Sequence, residues 1–392
     1  MSIINPFSNH LPVKIRFGEG VAMTLPTVLT ELGVSRPFLM IDEGIEQFNP
    51  AVKALMDVLL SLNGISITRF NKPPAEPTIE MVDAATAALN ASGADVVVAI
   101  GGGSVIDTAK AARLCSQLGL SFREFLARSP GYSAPIIPLV AMPTSAGTGS
   151  EVSGGSVVSD PEAGRKNGIA NANLRAQYAL VDPVLTYSMP PSMTANTGID
   201  ALAQAIAATV ANVRTPIGDA IALEAIRMMA PALVAAYRDG SDAAARAAMS
   251  CGSMMAGLAM NISDCTSEHS LGQAIGGLKH VPHGLTIGLV LAETLERERT
   301  HVPGILERVA DAMGETDDAS HDGSRLVRAI QRILAKLDFP VLSSLGICED
   351  DVDYLADLAL ADYFITMSPE PWSKDEVMDA FRAALRLEAR VA

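Results

Sequence analysis

Six histidines occur in the 392 residues, and three of them, His269, His280 and His283, fall within one 15-residue stretch. Clustered imidazoles in a histidine-poor chain suggest a metal or proton-transfer site, because neutral imidazole is both a metal ligand and a base near neutral pH. His269 and His283 are too far apart to be an i,i+4 helical pair, so two unrelated helix-end histidines read the same from local sequence. Upstream, the segment Gly198 to Gln204 (GIDALAQ) starts a helix in which Asp200 and Gln204 share one face. A carboxylate there, joined by imidazoles from elsewhere, makes a mixed nitrogen and oxygen donor set suited to Fe2+ or Zn2+. A carboxylate in a first helical turn also has a purely local use, meeting the helix dipole.

Two glycine-rich segments carry a different chemistry. Gly101-Gly102-Gly103-Ser104 follows the apolar run Asp95 to Ile100 (DVVVAI) and opens a helical pattern from Val105 to Leu114. Backbone amides at a helix N-terminus bind anions, and glycines let a phosphate approach the backbone. Ser104 is placed to cap that helix, with Asp107 in its first turn. A tight strand-to-helix turn without ligand would look the same. The second segment, Pro143 to Glu151 (PTSAGTGSE), follows the run Ile136 to Met142. The hydroxyls of Thr144, Ser145 and Thr148 suit phosphate, ribose or nicotinamide contacts. Asp42 closes an earlier apolar run, Pro37 to Ile41, where it could hold a ribose diol and repel a 2′-phosphate, or simply cap the next helix. Lys166 lies in a polar stretch, Gly164 to Asn167, where a surface lysine is the plainest reading.

The elements that must position these residues differ between the two halves. Up to about residue 185, short apolar runs alternate with helical stretches such as Val52 to Asn63 and Ile79 to Ser92. That pattern predicts crossover units and a doubly wound parallel sheet covered on both faces. After Asp182-Pro183, Ala, Leu and Met recur at helical spacing over Ala201 to Val213, Pro216 to Ala236 and Ala243 to Met260, and about seven helices are expected. The expected domains are therefore 1–185, α/β and dinucleotide-binding, and 186–392, all-helical and carrying the metal and substrate residues. Gly314 to Gly323 reads as a polar loop between helices.

Composition removes several classes. Lys plus Arg is 29 against 44 Asp plus Glu, a net charge of −15, which disfavours nucleic acid and anionic membrane surfaces as partners. Charged residues make up only 19% of the chain, so much of it is expected to be buried. Four scattered cysteines without a C-x-x-C pair, and an N-terminus without a secretory pattern, point to reduced thiols in a cytoplasmic protein. The long uncharged stretches Ser129 to Ser150 and Ala247 to Ser263 are not expected to span a bilayer, the first being proline-rich and the second rich in small packing residues.

Over essentially its full length the chain resembles the iron-containing (group III) alcohol dehydrogenases. Gly101 to Asp107 resembles that family's cofactor pyrophosphate loop, and Pro143 to Glu151 its second nucleotide loop. Thr197 to Leu202 resembles the segment with the first metal ligand, and Pro282-His283-Gly284 the one with the last. The resemblance implies a dehydroquinate synthase-like fold: a nucleotide-binding α/β domain, an all-helical metal domain and a cleft between them. It implies NAD(P)-dependent interconversion of small alcohols with aldehydes or ketones, and often a homodimer or larger homo-oligomer. Asp200, His269 and His283 match three metal ligands. The fourth position, usually His, is Gln204, a weaker donor that should lower affinity for Fe2+ or Zn2+. Gln273 also stands where His is common. His280 and His269 are then candidates for proton transfer, Gln273 for a hydrogen bond to substrate, Asp42 favours NAD over NADP, and Lys166 matches a cofactor contact. A same-fold enzyme of other chemistry, similar to maleylacetate reductase or to the lyase dehydroquinate synthase, is the alternative.

Overall fold

The apolar runs form the middle of a parallel sheet. A computed structural model describes residues 6–386 except 130, 132–135, 164 and 317–319. Its strands are β1 (Lys14–Phe17), β2 (Pro37–Asp42), β3 (Thr68–Lys72), β4 (Val96–Gly101), β5 (Leu139–Pro143), β6 (Gly155–Asp160), β7 (Arg165–Ala170) and β8 (Tyr178–Val181). Six of them make one all-parallel sheet in the order β1-β8-β5-β4-β2-β3, and β6 and β7 form a separate antiparallel hairpin. Strands β4, β5 and β8 are buried throughout and β2 almost so, whereas the edge strands β1 and β3 are partly exposed. That is why β2, β4 and β5 read as continuous apolar runs, while β1, the four-residue β8 and the polar hairpin escape a search for such runs. After β3 the chain returns past β2 and lays β4 on its other side. The carboxyl ends of β2 and β4, Asp42 and Gly101, therefore flank the point where strand order reverses, the usual ligand position in such sheets.

The chain divides into two compact units, His10–Met189 and the part from Pro190 onward, which takes in the described residues 6–9 as well. In the second unit nine α-helices, and no strand, occur among the described residues, two more helices than the periodicity suggested. The three longest, Pro191–Val210, Pro216–Arg238 and Ala243–Ser263, pack on one another. Their small residues are needed for this: a Cβ at Gly198 would strike Leu233, and one at Gly252 would strike Met229. Pro216–Arg238 is long and apolar enough to cross a membrane by length and composition, yet it contributes Ala222, Ala225, Ile226, Met229 and Leu233 to the interior of this bundle. Ala247 to Ser263 lies within the third of these helices. The polar loop falls between Pro303–Ala312 and Ser324–Lys336, with 317–319 outside the described residues. Part of the other uncharged stretch, 130 and 132–135, lies outside them as well. The four cysteines are unpaired.

Candidate metal centre and nucleotide loops

Asp200 and Gln204 sit well inside the helix Pro191–Val210, so the first-turn dipole reading of Asp200 does not apply. His269 lies in the first turn of Ser267–Lys279, and His283 opens His283–Glu298 behind Pro282. Gly284 explains how these helices meet. Its Cα lies so close to the Asn196 carbonyl that a Cβ would overlap it, which presses the start of His283–Glu298 onto the helix bearing Asp200. Likewise Gly272 accepts Ile287 against its backbone.

The result is a cluster in which Asp200 and His269 are buried and His283 is partly exposed. His269 Nε2 is 3.5 Å and His283 Nε2 3.7 Å from Asp200 Oδ1, and the two imidazole rings are 5.5 Å apart. One ligand atom from each of the three residues lies within 4.8 Å of the others. Gln204 Nε2 donates to Asp200 Oδ2 at 3.2 Å. Asp200 Oδ1, Gln204 Oε1 and His269 Nε2 are buried without a hydrogen-bond partner. Such orphaned atoms are costly, and each could be satisfied by a cation. His269 Nδ1 is 2.7 Å from Glu268 Oε1, so the proton sits there and the Nε2 lone pair faces Asp200. Burial opposes the charge on Asp200, but the two imidazoles and the Gln204 amide outweigh it and hold the carboxyl below its usual range. Burial likewise opposes protonation of His269, yet Cys265, Asp200 and Glu268 hold its pKa well above the usual value. The gap between Nε2 and Oδ1 thus takes either a proton or a cation. One carboxylate, two imidazoles and an amide oxygen fit an iron-type divalent ion, with Gln204 the weakest donor.

The helix Ser267–Lys279 and its C-cap carry two further residues of the histidine segment. Gln273, half-buried, follows His269 by one helical turn and shares its face. His280 is the exposed, left-handed C-cap of the same helix, with φ 52°.

In the α/β unit the two glycine-rich loops lie against each other. A Cβ on Gly103 would come within 2.5 Å of Thr148 Oγ1, and one on Gly102 within 3.3 Å of Ser145 Oγ. The glycines therefore serve loop-on-loop packing and not only ligand approach. Thr144 N donates to the Gly101 carbonyl at 3.0 Å and fixes the second loop to the end of β4. Asp42 Oδ2 accepts from Gly102 N at 3.4 Å, and the following helix is capped by Gly44, so Asp42 is no cap. Burial raises the Asp42 carboxyl pKa, against the pull of Lys72.

Three expectations need correction. The helix begins at Gly103, with Gly102 as N-cap and no side-chain cap, so Ser104 lies inside it and Asp107 beyond its first turn. Asp107 does not offer a free carboxylate to a ligand, since Ser150 Oγ donates to one oxygen and Val157 N to the other, at 2.9 Å. Lys166 is no free surface lysine: on β7 it pairs with Glu76 at 2.7 Å with its side chain 10% exposed.

Lys110, one turn after Asp107, went unread in the sequence. Its buried ammonium donates to Ser150 Oγ, Ser153 Oγ and the Gly155 carbonyl at 2.7–3.3 Å, and burial pulls its pKa down to about 8. The i,i+3 spacing of Asp107 and Lys110 was the available signal. Glu268 also went unread, because one carboxylate beside a histidine is no pattern.

Residues 12–183 match the iron-containing alcohol dehydrogenase family and residues 194–385 the C-terminal Fe-containing alcohol dehydrogenase family. The probable alcohol dehydrogenase EutG of Escherichia coli (strain K12) is 34% identical over 90% of this chain and 88% of that protein. Among solved structures, a 1,3-propanediol oxidoreductase superposes with a TM-score of 0.91 at 28% identity, covering 97% of this chain and all of that one. A sulfoacetaldehyde reductase from Bifidobacterium kashiwanohense, solved in complex with NAD+, gives 0.87 at 27% identity over 98% of this chain and all of its own. The family is described by iron and not by the zinc that the donor set alone also admits. The matched segments, the parallel sheet with its helical partner unit and the Asp200-His269-His283 cluster agree: the chain belongs to the iron-containing alcohol dehydrogenases, a family of alcohol and aldehyde oxidoreductases.

Proposed function

We propose that this chain transfers hydride between NAD(H) and a small alcohol, aldehyde or ketone, with an iron-type divalent cation held by Asp200, His269 and His283 and Gln204 as a weak fourth donor. The observation that carries this is the set of buried atoms without partners, Asp200 Oδ1, His269 Nε2 and Gln204 Oε1. The chemistry gained on binding is Lewis-acid polarisation of a substrate oxygen by the cation and hydride exchange at the nicotinamide.

The chain's own residues supply the rest. The amides at the start of Gly103–Leu118 and the hydroxyls of Ser104, Thr144, Ser145 and Thr148 receive the dinucleotide phosphates and neighbouring sugar. Asp42, at the reversal point of the sheet, accepts from the ribose diol and disfavours a 2′-phosphate. The NAD+ complex of the sulfoacetaldehyde reductase supports the same cofactor here. His269 Nδ1 is held by Glu268 Oε1 and its unpartnered Nε2 faces Asp200 Oδ1 at 3.5 Å, which suits a fixed donor better than a proton carrier. Proton exchange with water falls to the exposed His280, and Gln273 to a hydrogen bond with the substrate oxygen. Four unpaired thiols accord with a reducing cytoplasm.

The test is oxidation of NADH and of NADPH by the iron-loaded chain across a panel of short aldehydes. Stoichiometric NADH consumption, faster than with NADPH, is expected. NAD binding with no net NADH consumption for any aldehyde would overturn the assignment and favour a lyase.

A further inference from the structure

Glu268 is 4% exposed, and its carboxylate is held on three sides. Oε1 accepts from Thr266 N at 3.2 Å and faces His269 Nδ1 at 2.7 Å, while Oε2 accepts from Thr266 Oγ1 at 2.5 Å. It also stands in the first turn of Ser267–Lys279, where the helix dipole favours negative charge. Burying a carboxylate this deeply is expensive, and bracing the helix start would need only a short polar cap. What the costly group adds is the bond to His269.

We propose that Glu268 is a positioning residue for the metal centre: its carboxylate holds the His269 ring with Nε2 facing Asp200 and places a second buried negative charge behind that ring. This rests on the metal assignment made above. A carboxylate that accepts the Nδ1–H hydrogen bond leaves the Nε2 lone pair as the only donor and makes it more basic. With Asp200, it brings the formal charge around two neutral imidazoles to −2, which matches a divalent cation. Gln204 contributes only a neutral amide oxygen, so the stronger push through His269 offsets a weak fourth donor.

The experiment is an anaerobic titration of the metal-stripped full chain with Fe2+ against a competing chelator, for wild type, Glu268→Gln and Glu268→Ala. The melting temperature of each metal-free protein is measured alongside. Glu268→Gln keeps the size and an acceptor for Nδ1–H but removes the charge. The dissociation constant should rise about 10–100-fold in Glu268→Gln and further in Glu268→Ala. Metal-free Glu268→Gln loses a charged partner of His269 and should melt lower while still folding cooperatively, so the readout that separates the two roles is Fe2+ affinity of the folded variant, which a merely bracing carboxylate would not move. Wild-type affinity in Glu268→Gln overturns the proposal. Should the Glu268 variants fail to fold, Thr266→Val decides. It frees the carboxylate to turn and should weaken Fe2+ binding by a smaller factor, and unchanged affinity overturns the proposal. A wild type that takes up no Fe2+ fails the metal assignment itself and this proposal with it. A wild type that binds while Glu268→Gln binds equally fails this proposal alone.

Discussion

The two loops of the α/β unit and the histidine cluster of the helical unit handle their polar groups in opposite ways. In the loops, Asp107, Lys110, Ser150 and Ser153 bind one another or the backbone, and Gly102 and Gly103 fit beneath Ser145 and Thr148. The loops are complete as they stand, and what they offer a ligand is a rigid surface of amides and hydroxyls. In the cluster, buried atoms of Asp200, Gln204 and His269 face each other without partners. It is completed only by an added proton or cation. A dinucleotide needs a preformed cradle, whereas a metal site needs donors held together against their own repulsion.

Five substitutions test that contrast. Asp200→Asn keeps the shape of the cluster but removes the charge between the imidazoles. Loss of Lewis-acid help worth several kcal/mol should lower kcat/KM about 1000-fold, with NADH affinity unchanged by fluorescence titration. If activity survives, the cluster is not the catalytic centre. Gly103→Ala attacks the other region. Overpacking against Thr148 should destabilise by about 1–3 kcal/mol in denaturant unfolding and weaken NADH binding, while Gly102→Ala, with more room at Ser145, should do much less. Equal effects would mean that the loops do not interlock as described.

Gln204→His sharpens the metal side: an imidazole in place of the amide should tighten Fe2+ binding about tenfold in a chelator competition. No change would show that position 204 does not face the ion. The smallest effect concerns Glu298, where a buried carboxylate takes the other remedy, a proton. Burial pushes its pKa up to about 7, although Arg297 and Trp372 pull it down. The folded chain therefore keeps a proton that the unfolded chain releases above its ordinary value of 4.5. That contribution to stability is complete below the unfolded value and is lost as pH rises through the folded one. Glu298→Gln keeps an acceptor for Trp372 Nε1. Its melting temperature should fall less than wild type's between about pH 5 and about pH 8. Parallel melting curves would contradict the shift.

The cradle was more legible in the sequence than the centre. Val96–Gly101 and Leu139–Pro143 are continuous apolar strands with glycine-rich ends, so position in the chain equals position at the sheet edge. The fate of Asp107 was not legible, because its partners Ser150 and Val157 arrive from a loop 43 residues and a hairpin 50 residues away. Nor could β1, β8 or the β6–β7 hairpin be read, being short or polar. Of the metal cluster, Asp200, His269 and His283 were candidates by residue type, but only the resemblance joined them into one ligand set. They meet because Gly284 and Gly272 let helices touch, a tertiary fact with no local period. Glu268 gave no local signal, since its meaning comes from a single hydrogen bond.

The central claim is that the orphaned atoms around Asp200 are a cation site. Anaerobic titration of the metal-stripped chain with Fe2+ tests it most directly. Saturation at one equivalent per chain, abolished in Asp200→Asn, is the predicted result. No uptake, or uptake indifferent to Asp200, would contradict it.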